Sequence, residues 1–466
     1  MKKTTTKDRN DDREKLKTGS MLDLAVSSMD EEGYGIATWG ARKIKISGAF
    51  PGEAVRVRLT HVGKQSLAGR CIELLKPSPL LRTPQPSKLC NDCGNCQLTL
   101  LEYTSQLQIK HDMVSRCLSA YNTLNEVTVN KVIPSPNQLA YRTTAKLIVS
   151  GTFRSPKIGL YRRHSHEVVD IEGCPLHHPL INNIIAAVKD GITRGRIQVY
   201  SPSTGSGLLR YLVIRVSDDG EQAMVIFVTA FRSYNEIHHL SKHLQSAVPK
   251  VTVVVQNENS SSGNIILGDK FHFLTKQNAL ISQIGKVRLS VSPRSFLQVN
   301  SGSAQIIYDQ VAAWGELTGK EKVVDLYCGI GGIALFLAAG AGEVVGIEVV
   351  EQAVQDAEKN ARMNGIDNCS FASGDAGELL SEIKEEWEHA DLIVLNPPRK
   401  GCDRKVLSEA AKLKPGRMIY VSCSPWSLAR DLDILATLGY QTREIQPVDM
   451  FPQTSHIENV ALLIKT

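Results

Sequence analysis

From residue 20 to residue 76 apolar and polar positions alternate, and Gly33, Gly35, Gly40, Gly48, Gly52 and Gly63 punctuate the alternation. The segments AVSSM, YGIATWG, RKIKIS, EAVRVRLTHV and LAGRCIELL read as about five short strands, since a period of two puts alternate side chains on one face. So many strands in so short a stretch predict a small OB-like barrel. KPSPLLRTPQPSK (76–88) holds four prolines and reads as a linker.

The period then lengthens. LLEYTSQLQIKHDMVSRCLSAY (100–121) is helical in pattern, and the strand-like pieces TAKLIVSG, KIGLYRR, LVIRVSDDG, AMVIFVTA, VTVVVQNEN and NIILGDKFHFL follow. From about residue 292 strand and helix patterns alternate. KVVDLYCG, VVGIEV, CSFASGDA, DLIVLNPP, MIYVSC and IENVALLIK read as strands; IALFLAAG, EQAVQDAEKNARMNG and SLARDLDILATLG read as helices. Such alternation predicts a parallel, doubly wound sheet. The expected organisation is a charged tail (1–18), a barrel (19–76), a mixed α/β central domain (77–291) and a Rossmann-like α/β domain (292–466).

Composition narrows the class. An apolar content of 42% and a charged content of 22% are those of an ordinary globular protein. The net charge of +6 permits an anionic partner without requiring one. Half of it sits in the first 17 residues, with seven basic and four acidic side chains and no apolar core of a signal peptide. The longest apolar run, Leu326 to Gly342, is too short and too rich in glycine for a membrane span. The expectation is a cytoplasmic protein, monomeric and without a membrane partner. The ten cysteines then form no disulfide framework.

Four strand ends carry polar groups. DLYCGIGGIALFL leaves a strand through Gly329, Gly331 and Gly332, which let a ligand approach the backbone. The second strand ends at Glu348, an acid able to hold two ribose hydroxyls. The third ends at Asp375, and the fourth at Asn396 before two prolines. In a doubly wound sheet these ends converge on one crevice. The set resembles the class I S-adenosylmethionine-dependent methyltransferases.

The segments SPRSFLQVN (292–300), DLYCGIGGIAL (325–335), LNPPRKG (395–401), VSCSPWSLARDL (421–432) and DMFPQTSHIENVALL (449–463) go further, as do CGNCQL (93–98) and SHEVVDIEGCPL (165–176). Together they resemble the RNA uracil-C5 methyltransferases of the RumA/TrmA type. The N-terminal barrel resembles the RNA-binding TRAM domain of many members. Uracil C5 is a poor nucleophile, and a thiolate adding at C6 makes C5 reactive. The resemblance makes Cys423 that thiolate and Glu458 the base that later removes the C5 proton. It implies Gln298, Tyr327, Gly329, Glu348, Asp375 and Asn396 around S-adenosylmethionine. Arg399 and Arg430 read as contacts to phosphate or substrate, or as surface ion pairs, the reading each carries when taken alone. One departure stands out: the family has Asp-Pro-Pro-Arg where this chain has Asn396-Pro-Pro-Arg, which removes a negative charge beside a cationic sulfonium.

Cys90-x2-Cys93-x2-Cys96 has the spacing of metal ligands. The resemblance adds Cys174 as a distant fourth ligand and implies a [4Fe–4S] cluster, with zinc the alternative for four thiolates. The family's first cysteine falls at the place of Ser87, so Cys90 enters through spacing alone. The barrel and the cysteine cluster together favour large-subunit ribosomal RNA as partner, with transfer RNA the alternative. The rival functions are an RNA-binding paralogue with weakened catalysis and an exocyclic-amine methyltransferase, for which Cys423 would have no use.

Overall fold

The computed structural model describes residues 16–64, 66–80, 93–163, 165–261, 263 and 265–466. They belong to two compact units that divide after residue 82. Among the described residues no helix is long and apolar enough to cross a membrane.

The first unit is one curled sheet of six strands, Met21–Ala25, Ser28–Met29, Gly35–Trp39, Arg42–Ser47, Ala54–Val62 and Leu67–Lys76, in the spatial order first, fifth, sixth, fourth, third, second. The period-two pattern is obeyed: Leu22, Leu24, Val55, Val57 and Leu59 are buried between exposed or half-buried neighbours. The sheet folds over on itself, for its two edge strands, Met21–Ala25 and Ser28–Met29, are joined by Val26 and Ser27 alone. Six strands stand where about five were expected. AVSSM is the end of one strand and the whole of the next, parted at Val26 and Ser27, and Met21–Ala25 is an addition.

In the second unit an eight-stranded sheet runs in the order Cys369–Ser373, Glu343–Glu348, Lys322–Leu326, Leu392–Leu395, Arg417–Ser422, Glu458–Lys465, Tyr440–Val448, Thr128–Val129. The first five are parallel to one another, and Glu458–Lys465 is antiparallel to both neighbours. Side chains alternate between two cores. Val323, Val344, Val394, Ile419 and Val421 face helices Ser301–Gly315, Gly332–Ala338 and Glu351–Asn364. Val324, Leu326, Ile347, Ile393 and Tyr420 face helices Tyr103–Leu118, Ala376–Trp387, Arg404–Lys412 and Pro425–Thr437. Burial on both faces is why these strands are continuously apolar.

A seven-stranded sheet precedes it, ordered Val168–Asp170, Ser155–Tyr161, Thr144–Thr152, Leu209–Val216, Ala223–Thr229, Val251–Glu258, Lys270–Phe273. Leu212, Ile214, Val225 and Phe227 pack with helices Pro179–Arg194 and Tyr234–Ala247. The alternate residues Val213, Met224, Ile226 and Val228 enter the same apolar cluster as Val323 and Val344. One core therefore spans the central segment and the doubly wound sheet. Helices Pro179–Arg194, Tyr234–Ala247, Ser301–Gly315, Ala376–Trp387 and Arg404–Lys412 and strand Tyr440–Val448 are additions to the elements that periodicity predicted. In the described part of NIILGDKFHFL only Lys270–Phe273 is strand.

Helix Tyr103–Leu118 is tied to the far end of the chain by an ion pair. Lys110 Nζ lies 2.6 Å from Asp449 Oδ1, and both side chains are wholly buried. Lys110 also donates to Phe451 O at 3.0 Å, and Asp449 Oδ1 accepts from Phe451 N–H at 3.1 Å. This anchors the loop that leads into Glu458.

Candidate active site

The crevice opens where the parallel strands end. After Leu326 the chain turns sharply, and Tyr327 (φ 63°), Gly329 (φ 56°) and Gly331 (φ 82°) all occupy the left-handed region. Such a conformation costs a non-glycine residue about 1–3 kcal/mol. Tyr327 adopts it with its phenol half-buried near Cys402. Gly332 must be glycine for another reason, since a Cβ there would overlap the Tyr308 hydroxyl.

Gln298, Tyr327, Gly329 and Asn396 line one cavity, together with Tyr308 and Asp325. Glu348 stands at its edge: Oε2 accepts from Gly329 N–H at 3.1 Å and Oε1 from Val350 N–H at 3.0 Å. A carboxylate has about four acceptor sites, so two remain for hydroxyl groups. Asp375 is placed differently. It caps helix Ala376–Trp387, accepting from Gly377 N–H at 2.9 Å and Glu378 N–H at 3.2 Å, and its charge still reaches the Tyr327 phenol. Asp325 is fully buried, and Oδ2 accepts from Ala334 N–H at 3.0 Å while Oδ1 has no hydrogen-bond partner. Burial pushes this carboxyl up to about 8, with the Glu348 charge adding to the effect and the Ala334 hydrogen bond opposing it. An orphaned acceptor, a carboxylate with spare lone pairs and two amide side chains make a donor and acceptor set that fits the polar groups of S-adenosylmethionine. Asn300, rather than Gln298, caps the helix that follows, so Gln298 is left free for the cavity.

The second cluster lies at the end of the fifth parallel strand. Ser422 pairs with Asn459 across the antiparallel register, which makes Cys423 and Glu458 the next pair outward. The strand stops there because Pro425 opens a helix and Ser424 caps it, Ser424 Oγ accepting from Ser427 N–H at 3.4 Å. Cys423 is half-buried and its thiol is pushed up to about 11, by burial first and then by the Glu458 charge. Glu458 is buried, and burial pushes it up to about 8. Arg399 opposes both shifts. The group read as a phosphate or substrate contact, or a surface pair, thus lies where its charge acts on the thiol and the acid. Arg430 is different: it pairs with the buried Asp431 at 2.6 Å. His456 was not anticipated. Burial and the charges of Arg399, Lys110, Arg142 and Arg163 lower it to about 4, so it is neutral at ordinary pH. Cys328 and Cys402 are buried, and Cys402 is enclosed by the Tyr420 and Tyr327 hydroxyls.

Cys93, Cys96 and Cys174 approach one corner beside Tyr141, whose phenol feels the charges of Cys96 and Cys174, while Cys174 feels that of Cys93. Asn95 Nδ2 donates to Cys93 Sγ at 3.0 Å, while His177 N–H donates to the Cys174 carbonyl at 3.3 Å. A donor aimed at sulfur suits a thiolate ligand. Among the described residues no three His, Cys, Asp or Glu side chains are grouped closely enough to hold an ion. Cys90 and Ser87 lie outside the described residues.

Residues 221–466 match the family described as tRNA (uracil-5-)-methyltransferase. The chain is 59% identical to an uncharacterised RNA methyltransferase of Geobacter sulfurreducens, over 96% of this chain and 91% of that protein. It is 36% identical to an uncharacterised RNA methyltransferase of Halalkalibacterium halodurans, over 95% and 96% respectively. Among solved structures, the Pyrococcus abyssi tRNA (uracil-54, C5)-methyltransferase in complex with S-adenosyl-L-homocysteine is similar at 26% identity and a TM-score of 0.75, over 95% of this chain and 100% of that one. With the doubly wound sheet, the glycine turn and the crevice beside it, these likenesses make the chain a member of the tRNA (uracil-5-)-methyltransferase family, an S-adenosylmethionine-dependent RNA methyltransferase.

Proposed function

We propose that the enzyme methylates C5 of a uridine in folded RNA through a covalent adduct with Cys423. The pairing of Cys423 with Glu458 at adjacent strand ends, under one arginine, carries this reading. S-adenosylmethionine, held by Gln298, Tyr327, Gly329, Glu348 and Asn396, supplies an electrophilic methyl group; Asp375 contributes from its helix cap. Cys423 Sγ adds to C6 of the uracil, which places electron density on C5. Arg399 stabilises the thiolate. Once C5 carries the methyl group, Glu458 takes the C5 proton, and the C6–S bond breaks as the double bond re-forms. A base with a pKa near the working pH suits that step. The base must leave its stack to be reached.

Cys423→Ala should abolish turnover and leave cofactor binding intact. Methylation retained by that variant would exclude the covalent route. Glu458→Gln should accumulate an RNA–protein adduct that survives denaturing electrophoresis, and its absence would remove Glu458 from the role of base.

The RNA we propose is large-subunit ribosomal RNA, on the strength of the N-terminal β-rich unit, taken as a TRAM-type RNA-binding domain, and the cysteine cluster. The similarity to a tRNA (uracil-54, C5)-methyltransferase supports transfer RNA as the second reading. Mapping 5-methyluridine in both RNA pools of a deletion strain decides between them. Cys90, Cys93, Cys96 and Cys174 are the ligands we propose for a [4Fe–4S] cluster. It would cross-link the chain near Tyr141, since methyl transfer requires no electron. Iron and sulfide analysis of anaerobically purified protein tests this, and zinc in their place would overturn it.

A further inference from the structure

Beside the crevice lies a second cavity of about 320 Å³, bordered by Arg142, Lys146, Arg215 and Arg294. It adjoins the first, since Phe296 and Leu297 line both. Among the described residues no carboxylate lines it. Two of the cations are held by backbone carbonyls. Arg215 is buried and donates to Ser292 O at 2.6 Å. Arg294 donates to Asp269 O and lies 4.7 Å over the Phe271 ring. Arg142 Nε is buried without a hydrogen-bond partner, as is Nδ1 of His177 on the cavity wall. Asp356, the acid whose charge reaches Arg215, accepts the Ser295 hydroxyl. Partial burial and repulsion from Arg215 hold the Lys146 ammonium below its ordinary range.

Four cations around one cavity repel each other unless an anion enters. Guanidinium forks match the geometry of phosphate oxygens. The charge of Arg142 on its wall also acts on His456, two residues before Glu458. A nucleotide drawn out of its stack needs its backbone fixed close by.

We propose that this cavity binds a phosphate of the RNA backbone adjoining the target uridine. The inference rests on the methyltransferase reading, and it is tested by binding rather than turnover. Lys146 and Arg294 are exposed, so Lys146→Gln with Arg294→Gln leaves the core untouched. The full-length protein is titrated with a fluorescent 20-nucleotide single-stranded RNA containing uridine, across a series of salt concentrations. Lys286→Gln with Lys320→Gln, two exposed cations outside the cavity, serves as the charge-matched control. The cavity variant should bind RNA at least tenfold more weakly at low salt. Its plot of log affinity against log salt should be shallower by about 0.7, the value for one lost phosphate on a single strand. Affinity for S-adenosyl-L-homocysteine by calorimetry should match that of the unsubstituted protein. RNA affinity and salt slope equal to those of the control pair would overturn the proposal. Inorganic phosphate that occupies the cavity without competing with RNA would also overturn it, marking the site as one for a free anion. Should the unsubstituted protein bind RNA through the cavity yet fail to methylate it, the catalytic reading falls and the phosphate site stands.

Discussion

A thiol whose pKa is about 11 is almost wholly protonated at pH 7, with roughly one part in 10⁴ ionised. Cys423 is therefore not a preformed thiolate in the free enzyme, and its neighbours control how far it ionises. Glu458 and Arg399 act on it with opposite signs. Peptide-resolved alkylation of Cys423 by iodoacetamide should accelerate as pH rises towards about 11. Glu458→Gln should move that profile to lower pH, and Arg399→Ala should move it higher. An unchanged profile in both variants would break the electrostatic account. Glu458 also links stability to pH. Its folded pKa of about 8 lies above its ordinary value, so its favourable contribution is complete below about 4.5 and is lost as pH rises through about 8. Thermal melts of the free protein should decline over that window more steeply for the native chain than for Glu458→Gln.

Among the elements, helix Tyr103–Leu118 and the loop 449–457 depend on one buried ion pair. Removing one partner of such a pair leaves an uncompensated buried charge and costs about 3–5 kcal/mol. Lys110→Met should show a loss of that size in denaturant unfolding. Lys110→Met with Asp449→Leu should recover most of it, because an apolar pair needs no counter-charge. A double variant as unstable as the single one would show that the hydrogen bonds to Phe451 matter more than the charges. The pair was beyond reach of periodicity. Lys110 sits in a helix whose other charged residues are exposed or half-buried, and its partner lies 339 residues away. Tyr440–Val448 escaped for a similar reason, since Arg443, Glu444 and Pro447 break the apolar alternation of an ordinary strand.

For the whole molecule, the shared core sets the smallest foldable piece. The apolar cluster under the doubly wound sheet includes Val213, Met224, Ile226 and Val228 from the central segment. The opposite core takes Met113, Val114 and Cys117 from helix Tyr103–Leu118, and Thr128–Val129 closes the sheet's edge. A fragment beginning at residue 292 would uncover the parts of both cores that these segments cover. At about 25 cal/mol per Å² of apolar surface that loss draws on a net stability of only about 5–15 kcal/mol. Residues 292–466 expressed alone should lack a cooperative melt, whereas residues 83–466 should show one by circular dichroism. A cooperative melt of the shorter fragment would contradict the shared-core argument.

What the sequence determined by itself was local and periodic. Strand–helix alternation gave the doubly wound sheet, because period two and period 3.6 are written into consecutive residues. The turn at Gly329 and Gly331 was legible because glycine adopts that backbone cheaply, whereas the need for Gly332 comes from the Tyr308 hydroxyl packed against it. Cys423 and Glu458 were legible through motif resemblance, although 35 positions separate them. What only the tertiary structure decided was which charges meet. Arg399 could not be told from a surface pair until strands Leu392–Leu395, Arg417–Ser422 and Glu458–Lys465 lay side by side. Asp375 became a helix cap, and Arg142, Lys146, Arg215 and Arg294 became one cavity, from positions spread over 153 residues. Electrostatic effects depend on separation in space and on burial, and neither is set by neighbours in the chain.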